Sequence, residues 1–410
     1  MGSYRRVPLS TYPHFTLQSA DVYTFTINTL ATLPLKMPGT IESRDLLRVL
    51  VFAAASRLSV HQACDQLERA PSGPTVLGNL ARQFRDLDAL EGHLNDLLAK
   101  LIPKDLRKRG RRVAIDLVAL PYHGTVDAAH QGEVCRRKAK GGTTHFFTYA
   151  TAYAVVRGRR YTLAMCRVRA KQRMDHVLRT LLARLVTLGI RIKLLLLDRG
   201  FYSVRVIQDL RTGAWPFIMP AVKRGKKSTT AGGPTGTYAL AAKKQSHWTT
   251  YTLQSAKESQ VAFDLAVVCH NTRGHRGRHQ REALLYATWG VTHRPLSWIR
   301  ATYRSRFGIE SSYRQSHQAR IRTSSRNPAL RLLFMGVALV LRNIWVWLHA
   351  EVVAQPQRGA RPLRPQSLRL ARLLMWLLME VARHYRLLRQ ICVYHDLYKK
   401  AQAFGIVFNY

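Results

Sequence analysis

Acidic residues are what this chain of 410 residues has least of. Asp and Glu total 23 against 65 Lys and Arg, a formal charge of +42. Cysteine is scarce too. Cys64, Cys135, Cys166, Cys269 and Cys392 are odd in number, scattered and never arranged as Cys-x-x-Cys. That pattern excludes a disulfide framework and predicts a reducing compartment. The opening residues, MGSYRRVPLSTYPHF, hold no apolar core of the kind a secretory signal needs. The longest apolar run, Leu332 to Ala350, is interrupted by Arg342 and Asn343. It is short for a membrane span and reads as a buried helix. No internal repeat is visible. With 47% hydrophobic residues, the chain is not a disordered basic tail either.

What is there is positive charge on a folding sequence, unevenly placed. Residues 1–105 carry 11 Lys and Arg against 10 Asp and Glu, whereas residues 106–410 carry the other 54 against 13. A near-neutral head thus joins a very basic body, whose expected partner is a polyanion. Arg outnumbers Lys 49 to 16. Arg grips phosphate through two parallel bonds and stacks on bases. Arg-rich codon usage accounts for Arg over Lys, but not for base over acid. A cytoplasmic protein acting on nucleic acid is the expectation.

Residues 40–105 read as helices, the first capped by Thr40 or Ser43. Two short segments around Pro71-Ser72-Gly73-Pro74 fit a helix-turn-helix or a small bundle with no DNA role. After a basic hinge at 106–112 the period changes to that of strands, at 113–120, 144–156 and 159–168. The last two predict a hairpin across Arg157-Gly158. A helix over 175–189, with Asp175 as its cap, precedes IKLLLLD (192–198), the continuous apolar run of a buried parallel strand. Helix 203–212 and strand 216–222 follow, so the order predicts a mixed sheet with helices on its faces. Residues 224–246 read as a surface loop, and 247–270 and 284–291 as strands. Residues 296–318 and 328–350 read as helices, and 355–365 as a linker before basic terminal helices.

Only 13 acids follow residue 105, so each stands out. Asp116 lies inside a strand, and Asp198 ends the most apolar one. Burying either unpaired costs several kcal/mol. One alone is best read as an ion pair, for instance Asp198 with Arg199. Two on adjacent buried strands favour a metal, because Mg²⁺ takes hard oxygen ligands. Two such ions serve in-line phosphodiester chemistry. The segment YRSRFGIESSYRQSHQAR (303–320) adds a third candidate. Helical spacing puts Tyr303, Arg306, Glu310, Arg314 and His317 on one face. A solvated ladder of ion pairs carries several acids. A single Glu among cations fits a metal ligand ringed by phosphate-gripping groups.

Together these segments resemble the DDE transposases of the insertion-sequence-4 superfamily, whose signature is Tyr-x2-Arg-x3-Glu-x6-Lys. Tyr303, Arg306 and Glu310 match its spacing, and His317 stands at the Lys position. LLLLDRGFYS resembles the family's second-Asp strand and turn. IDLVALPYHG resembles the first-Asp strand of one branch, without the Asp-Asp-Thr of others. The likeness spans about residues 110–350.

The resemblance implies an α/β, RNase H-like mixed sheet with a β-rich insertion, flanked by N-terminal and C-terminal helical regions. The expected divisions are an end-binding helical region (1–105), the first part of the core (106–223) and the insertion (224–295). The rest of the core, with the Glu-bearing helix (296–350), and the C-terminal helices (351–410) follow. It implies a triad of Asp116, Asp198 and Glu310 holding two Mg²⁺ ions, with Mn²⁺ as substitute. Tyr303, Arg306, Arg314, His317, Arg320, Arg322 and Arg199 are expected on DNA.

Trp298 is the expected base-stacking aromatic, although for it, Trp248 and Trp289 core packing is the plainer reading of each. The implied activity is cut-and-paste transposition. The implied partners are transposon-end and target DNA, with a homodimer in the synaptic complex and no membrane, in the nucleoid of a prokaryote. Other readings are a nuclease or resolvase of the same fold that cuts without joining, and a non-catalytic derivative that binds DNA. Cys269, His270, His275 and His279 match no standard zinc spacing and read better as part of a phosphate-binding loop.

Overall fold

The computed structural model describes residues 16–36, 41–128, 130–156, 159–227, 232–255, 258–273, 279–353 and 367–389. The strands are β1 (Arg111–Pro121), β2 (Cys135–Lys140), β3 (Thr143–Val156), β4 (Arg159–Val168), β5 (Ile192–Leu197), β6 (Phe217–Pro220), β7 (His247–Ser255), β8 (Glu258–Arg273) and β9 (His279–Trp289). They form one nine-stranded sheet. β4, β3 and β1 run as an antiparallel meander, and β5 and then β6 lie parallel to β1 on its other side. This is the mixed RNase H-like sheet that was expected. The short strand β2 shares an edge of β3 with β4.

The β-rich insertion is not a separate body. β9 pairs antiparallel with β6, and β8 and β7 follow, so the insertion extends the same sheet. β2 was missed in the sequence because CRRKAK is exposed and charged at most positions, without apolar alternation.

The N-terminal helices are α1 (Ser19–Leu30), α2 (Ser43–Ser56), α3 (Val60–Asp65), α4 (Gly73–Gln83), α5 (Leu87–Lys100) and α6 (Asp105–Lys108). Glu42, not Ser43, takes the cap position of α2, and its backbone N–H is held by Asp45 at 3.0 Å; Thr40 lies outside the described residues. α3 and α4 are joined by residues 66–72, longer than the three- or four-residue turn of a helix-turn-helix. Leu67 in that connection bridges to Leu387. In shape the region is a small helical bundle. Nor does it stand apart: α5 packs on β4, and one continuous core joins these helices to the sheet.

α7 (Met174–Thr187) and α8 (Val204–Thr212) flank β5 in sequence. Asp175 is not the cap of α7. It is buried one residue into the helix, between Arg173 and Arg179. The stretch read as a loop, 224–246, contains a short helix, α9 (Gly236–Ala242). α10 (Leu296–Arg304), α11 (Gly308–Gln318), α12 (Pro328–Leu348) and α13 (Leu370–Tyr385) complete the described α-helices. α12 is the apolar run of the sequence. It is long and apolar enough to cross a membrane, yet it is buried throughout against the protein. The expected linker at 355–365 and most of the terminal segment lie outside the described residues.

Candidate active site

Strand parity decides where the two acids point. Ala114, Leu194, Leu196 and Ile218 pack toward α10, whereas Val113, Ile115, Leu195 and Leu197 face the larger core. Asp116 and Asp198 continue the first set, so both lie on the α10 side. The β1–β5 register, with Ile115 opposite Leu197, sets them next to each other.

The segment expected as one helix over 296–318 is broken. A 3-10 turn, Ser305–Phe307, separates α10 from α11. A 3-10 stretch within a helix often marks a functional hinge or local strain. Here the turn aims Arg306 inward, leaving it 7% exposed. One guanidinium nitrogen is 3.0 Å from Asp116 Oδ2 and another is 3.5 Å from Asp198 Oδ1. The Tyr303 and Phe307 rings lie 5.3 and 5.5 Å from it. Tyr303 is also buried, and its hydroxyl donates to the Leu197 carbonyl at 3.3 Å. Two residues expected against DNA are therefore inward members of the acid cluster.

Asp116 accepts the Leu117 N–H at 2.8 Å. Burial pushes its carboxyl up to about 6, against the pull of Arg306, and the charge of Asp198 adds to the rise. The pair offers hard oxygen donors, with a guanidinium lying between them as a stand-in cation. That donor chemistry fits a divalent ion. Among the described residues no group of three His, Cys, Asp or Glu gathers for a metal.

Glu310 lies in the first turn of α11; its side chain is outside the described residues. The helix itself is pinned from two sides. Tyr313 Oη is 2.6 Å from Thr151 Oγ1, and Thr151 stands opposite Asp116 in the β1–β3 register. Arg342 of α12 donates to Ser312 Oγ at 2.9 Å and Gln315 Oε1 at 3.3 Å. Gly308 opens the helix where a Cβ would collide with the Arg160 guanidinium. Arg160 in turn donates to the Ser305 carbonyl at 3.2 Å.

Of the other expected DNA contacts, Arg199, Arg314, His317 and Arg322 are exposed and Arg320 is half-buried. Partial burial, then the charges of Arg320 and Arg57, lower the pKa of His317. Arg57 was not foreseen. It ends α2 in a left-handed conformation (φ 58°), 260 residues away in sequence. The Arg322 N–H donates to the neighbouring Leu58 carbonyl at 3.0 Å. Trp298 lies at the opposite end of α10 from the acids, between Arg112 and Arg294, and is not placed to stack at the acid pair. Trp248 and Trp289 are half-buried on the sheet. Cys269 and His270 lie on β8, whereas His275 and the His279 side chain fall outside the described residues. A cavity of about 890 Å³ adjoins Asp198, with Arg199, Lys223, Arg300 and Arg304 among its lining cations.

An RNase H-like sheet with two carboxylates on adjacent strands defines a class of metal-dependent phosphodiester enzymes. A family model described as "Transposase DDE domain" matches residues 108–344, more than half of the chain. The chain belongs to this family: it is a DDE transposase, its partner is DNA, and its family uses divalent metal ions. The expected enzyme class and cut-and-paste function stand on that membership. No curated protein matches the chain. Among solved structures, a cryo-EM structure of the piggyBac transposase synaptic complex with hairpin DNA matches with a TM-score of 0.48 and 10% identity. The match covers 94% of this chain and 82% of that one.

Proposed function

We propose that this enzyme is an insertion-sequence-4 type transposase whose cutting centre is Asp116, Asp198 and Glu310, working with two Mg²⁺ ions. The observation that carries this reading is one guanidinium shared by the buried Asp116 and the half-buried Asp198 carboxylates. Bound ions would activate water and stabilise the attacking and leaving oxygens. Water attacks the phosphorus at the transposon end, the bond to the 3′ oxygen breaks, and a 3′-OH is freed. That 3′-OH then attacks a target phosphorus and displaces the target strand's own 3′ oxygen. Asp116 and Asp198 hold the charge of the centre. Arg306 balances them before DNA arrives, and Tyr303 props its guanidinium. Arg314, His317, Arg320, Arg322 and Arg57 grip flanking phosphates. Two copies would pair two ends in the nucleoid.

The test is strand cleavage of duplexes bearing the element's ends, in Mg²⁺ or Mn²⁺. Asp198→Ala and Glu310→Ala bind such DNA but do not cut it; normal cutting by either sinks this centre. Transfer of pre-cut 3′ ends into a plasmid separates transposition from cutting alone.

His317 supplies a smaller prediction. Its lowered pKa leaves it neutral at pH 7. His317→Lys restores the signature residue and a full charge. The slope of log K against log salt should steepen by about 0.9, the value for one added phosphate contact. An unchanged slope in gel-shift titrations would show that this position touches no phosphate.

A further inference from the structure

α10 has a cationic station at each end. At its C-terminal end, the 3-10 turn delivers Arg306 to the acids. At its N-terminal end, Trp298 lies between two guanidinium groups, Arg112 at 5.6 Å and Arg294 at 5.3 Å from the ring centre. Arg112, Lys193, His293, Arg294 and Trp298 line a groove of about 330 Å³. No acid lines that groove, and none of these cations has a carboxylate partner among the described residues. Stacking on the indole holds both guanidiniums in place without neutralising them. Between the two stations, α10 carries the exposed Arg304 and the half-buried Arg300.

The spacing of the stations can be read from β1. Arg112 and Asp116 are on the same face of the strand, four residues or about 13 Å apart. Duplex DNA rises about 3.4 Å per base pair, so this distance is about four base pairs.

We propose that the Arg112–Trp298–Arg294 groove is a second phosphate-binding station for duplex DNA. It holds the backbone about four base pairs from the phosphate at the acid pair, with the duplex lying along α10. Two stations on one rigid helix set the direction of the duplex as well as its position. A second copy of this chain is a poor occupant, because each copy carries +42. The proposal rests on reading Asp116 and Asp198 as the cutting centre.

The experiment uses the full-length protein and the element's terminal repeat, without divalent metal. Lys193→Ala combined with Arg294→Ala should lower the slope of log K against log salt by about 2, one contact for each residue. Phosphate-ethylation interference should vanish at the phosphates about four base pairs from the cleavage point and persist at the cleavage point. Arg294→Lys keeps the charge but loses the flat stack, so it should retain most of the slope. A purely structural role predicts equal damage from Arg294→Lys and Arg294→Ala. An unchanged slope in the double variant overturns the station, as does uniform loss of interference at every phosphate. So does a change in oligomeric mass with unaltered DNA affinity, which would mark the groove as a protein interface. These outcomes are separate from the cutting centre. Cleavage by Asp198→Ala sinks the centre but leaves the slope result untouched.

Discussion

Asp116→Asn is expected to lower strand cleavage by at least ~10³-fold, through loss of a carboxylate from the proposed metal centre, and to raise the melting temperature of the metal-free protein. On the proposed reading the two effects have opposite signs, because a residue placed for chemistry costs stability. Its carboxyl is buried, and burial outweighs the attraction of Arg306, leaving the pKa at about 6. An acid whose pKa is raised on folding destabilises the fold once it ionises. The penalty begins as pH rises above the unfolded value of about 3.9 and is complete above about 6. Asn keeps the shape and never ionises. The expected gain at pH 7 is on the order of 3 kcal/mol, or several degrees. It should shrink below pH 6 and vanish near pH 4.

A structural ion pair behaves otherwise. Removing one partner of a buried pair leaves an uncompensated charge and destabilises strongly. If Asp116→Asn melts lower at neutral pH, Asp116 is mainly a partner for Arg306, and the functional reading of this residue fails. Calorimetry across pH 4 to 8, alongside the cleavage assay, decides between them.

The parts of the fold with a strong period were legible in the sequence. β4 spans the predicted residues, 159–168, and β5 and α8 differ from their predicted spans only at one end. Asp116 and Asp198 were found as acids that an apolar strand has no ordinary reason to hold. What the sequence concealed was direction. Spacing put Tyr303 and Arg306 on one helix face with Arg314 and His317, but the 3-10 turn at Ser305–Phe307 breaks that face. Nothing in YRSRFGIE marks the break except Gly308, whose role depends on Arg160, distant in sequence. Arg57 was hidden for the same reason, since its neighbours His317 and Arg320 come from the far end of the family domain. The N-terminal region was read as separate because its charge differs. Charge reports on partners and surface, whereas the shared core is made by apolar faces on α2 and α5 that meet elements hundreds of residues away.

The interruption of the apolar run by Arg342 and Asn343 has a structural cause, and it leads to the second large effect: Asn343→Leu should cost about 3–5 kcal/mol. β4 pairs with β3 along one edge only, and its other edge is covered by α5 and α12. Helices have no spare backbone groups with which to pair a strand. Side chains do it instead. Asn343 takes the Thr162 N–H at 3.0 Å and gives to the Thr162 carbonyl at 2.8 Å. Asn95 of α5 repeats this at Met165, with both bonds at 2.9 Å. Arg342 covers the Arg160 carbonyl, and Glu91 the Arg167 N–H.

The positions run 160, 162, 165, 167, alternate residues with one shift. That shift is the bulge at Leu163, where Ala152 faces Ala164 but Tyr153 faces Thr162. Leu at 343 would fit an apolar helix, yet it orphans a buried N–H and a buried carbonyl, each costing about 1–3 kcal/mol. For a protein with about 5–15 kcal/mol of stability, that is a large share. Urea unfolding should show a lower midpoint with little change in slope. Asn343→Asp keeps the acceptor, loses the donor and buries a charge, so it should not rescue. A loss under about 1 kcal/mol for Asn343→Leu would mean that water reaches this edge and that the Asn is dispensable.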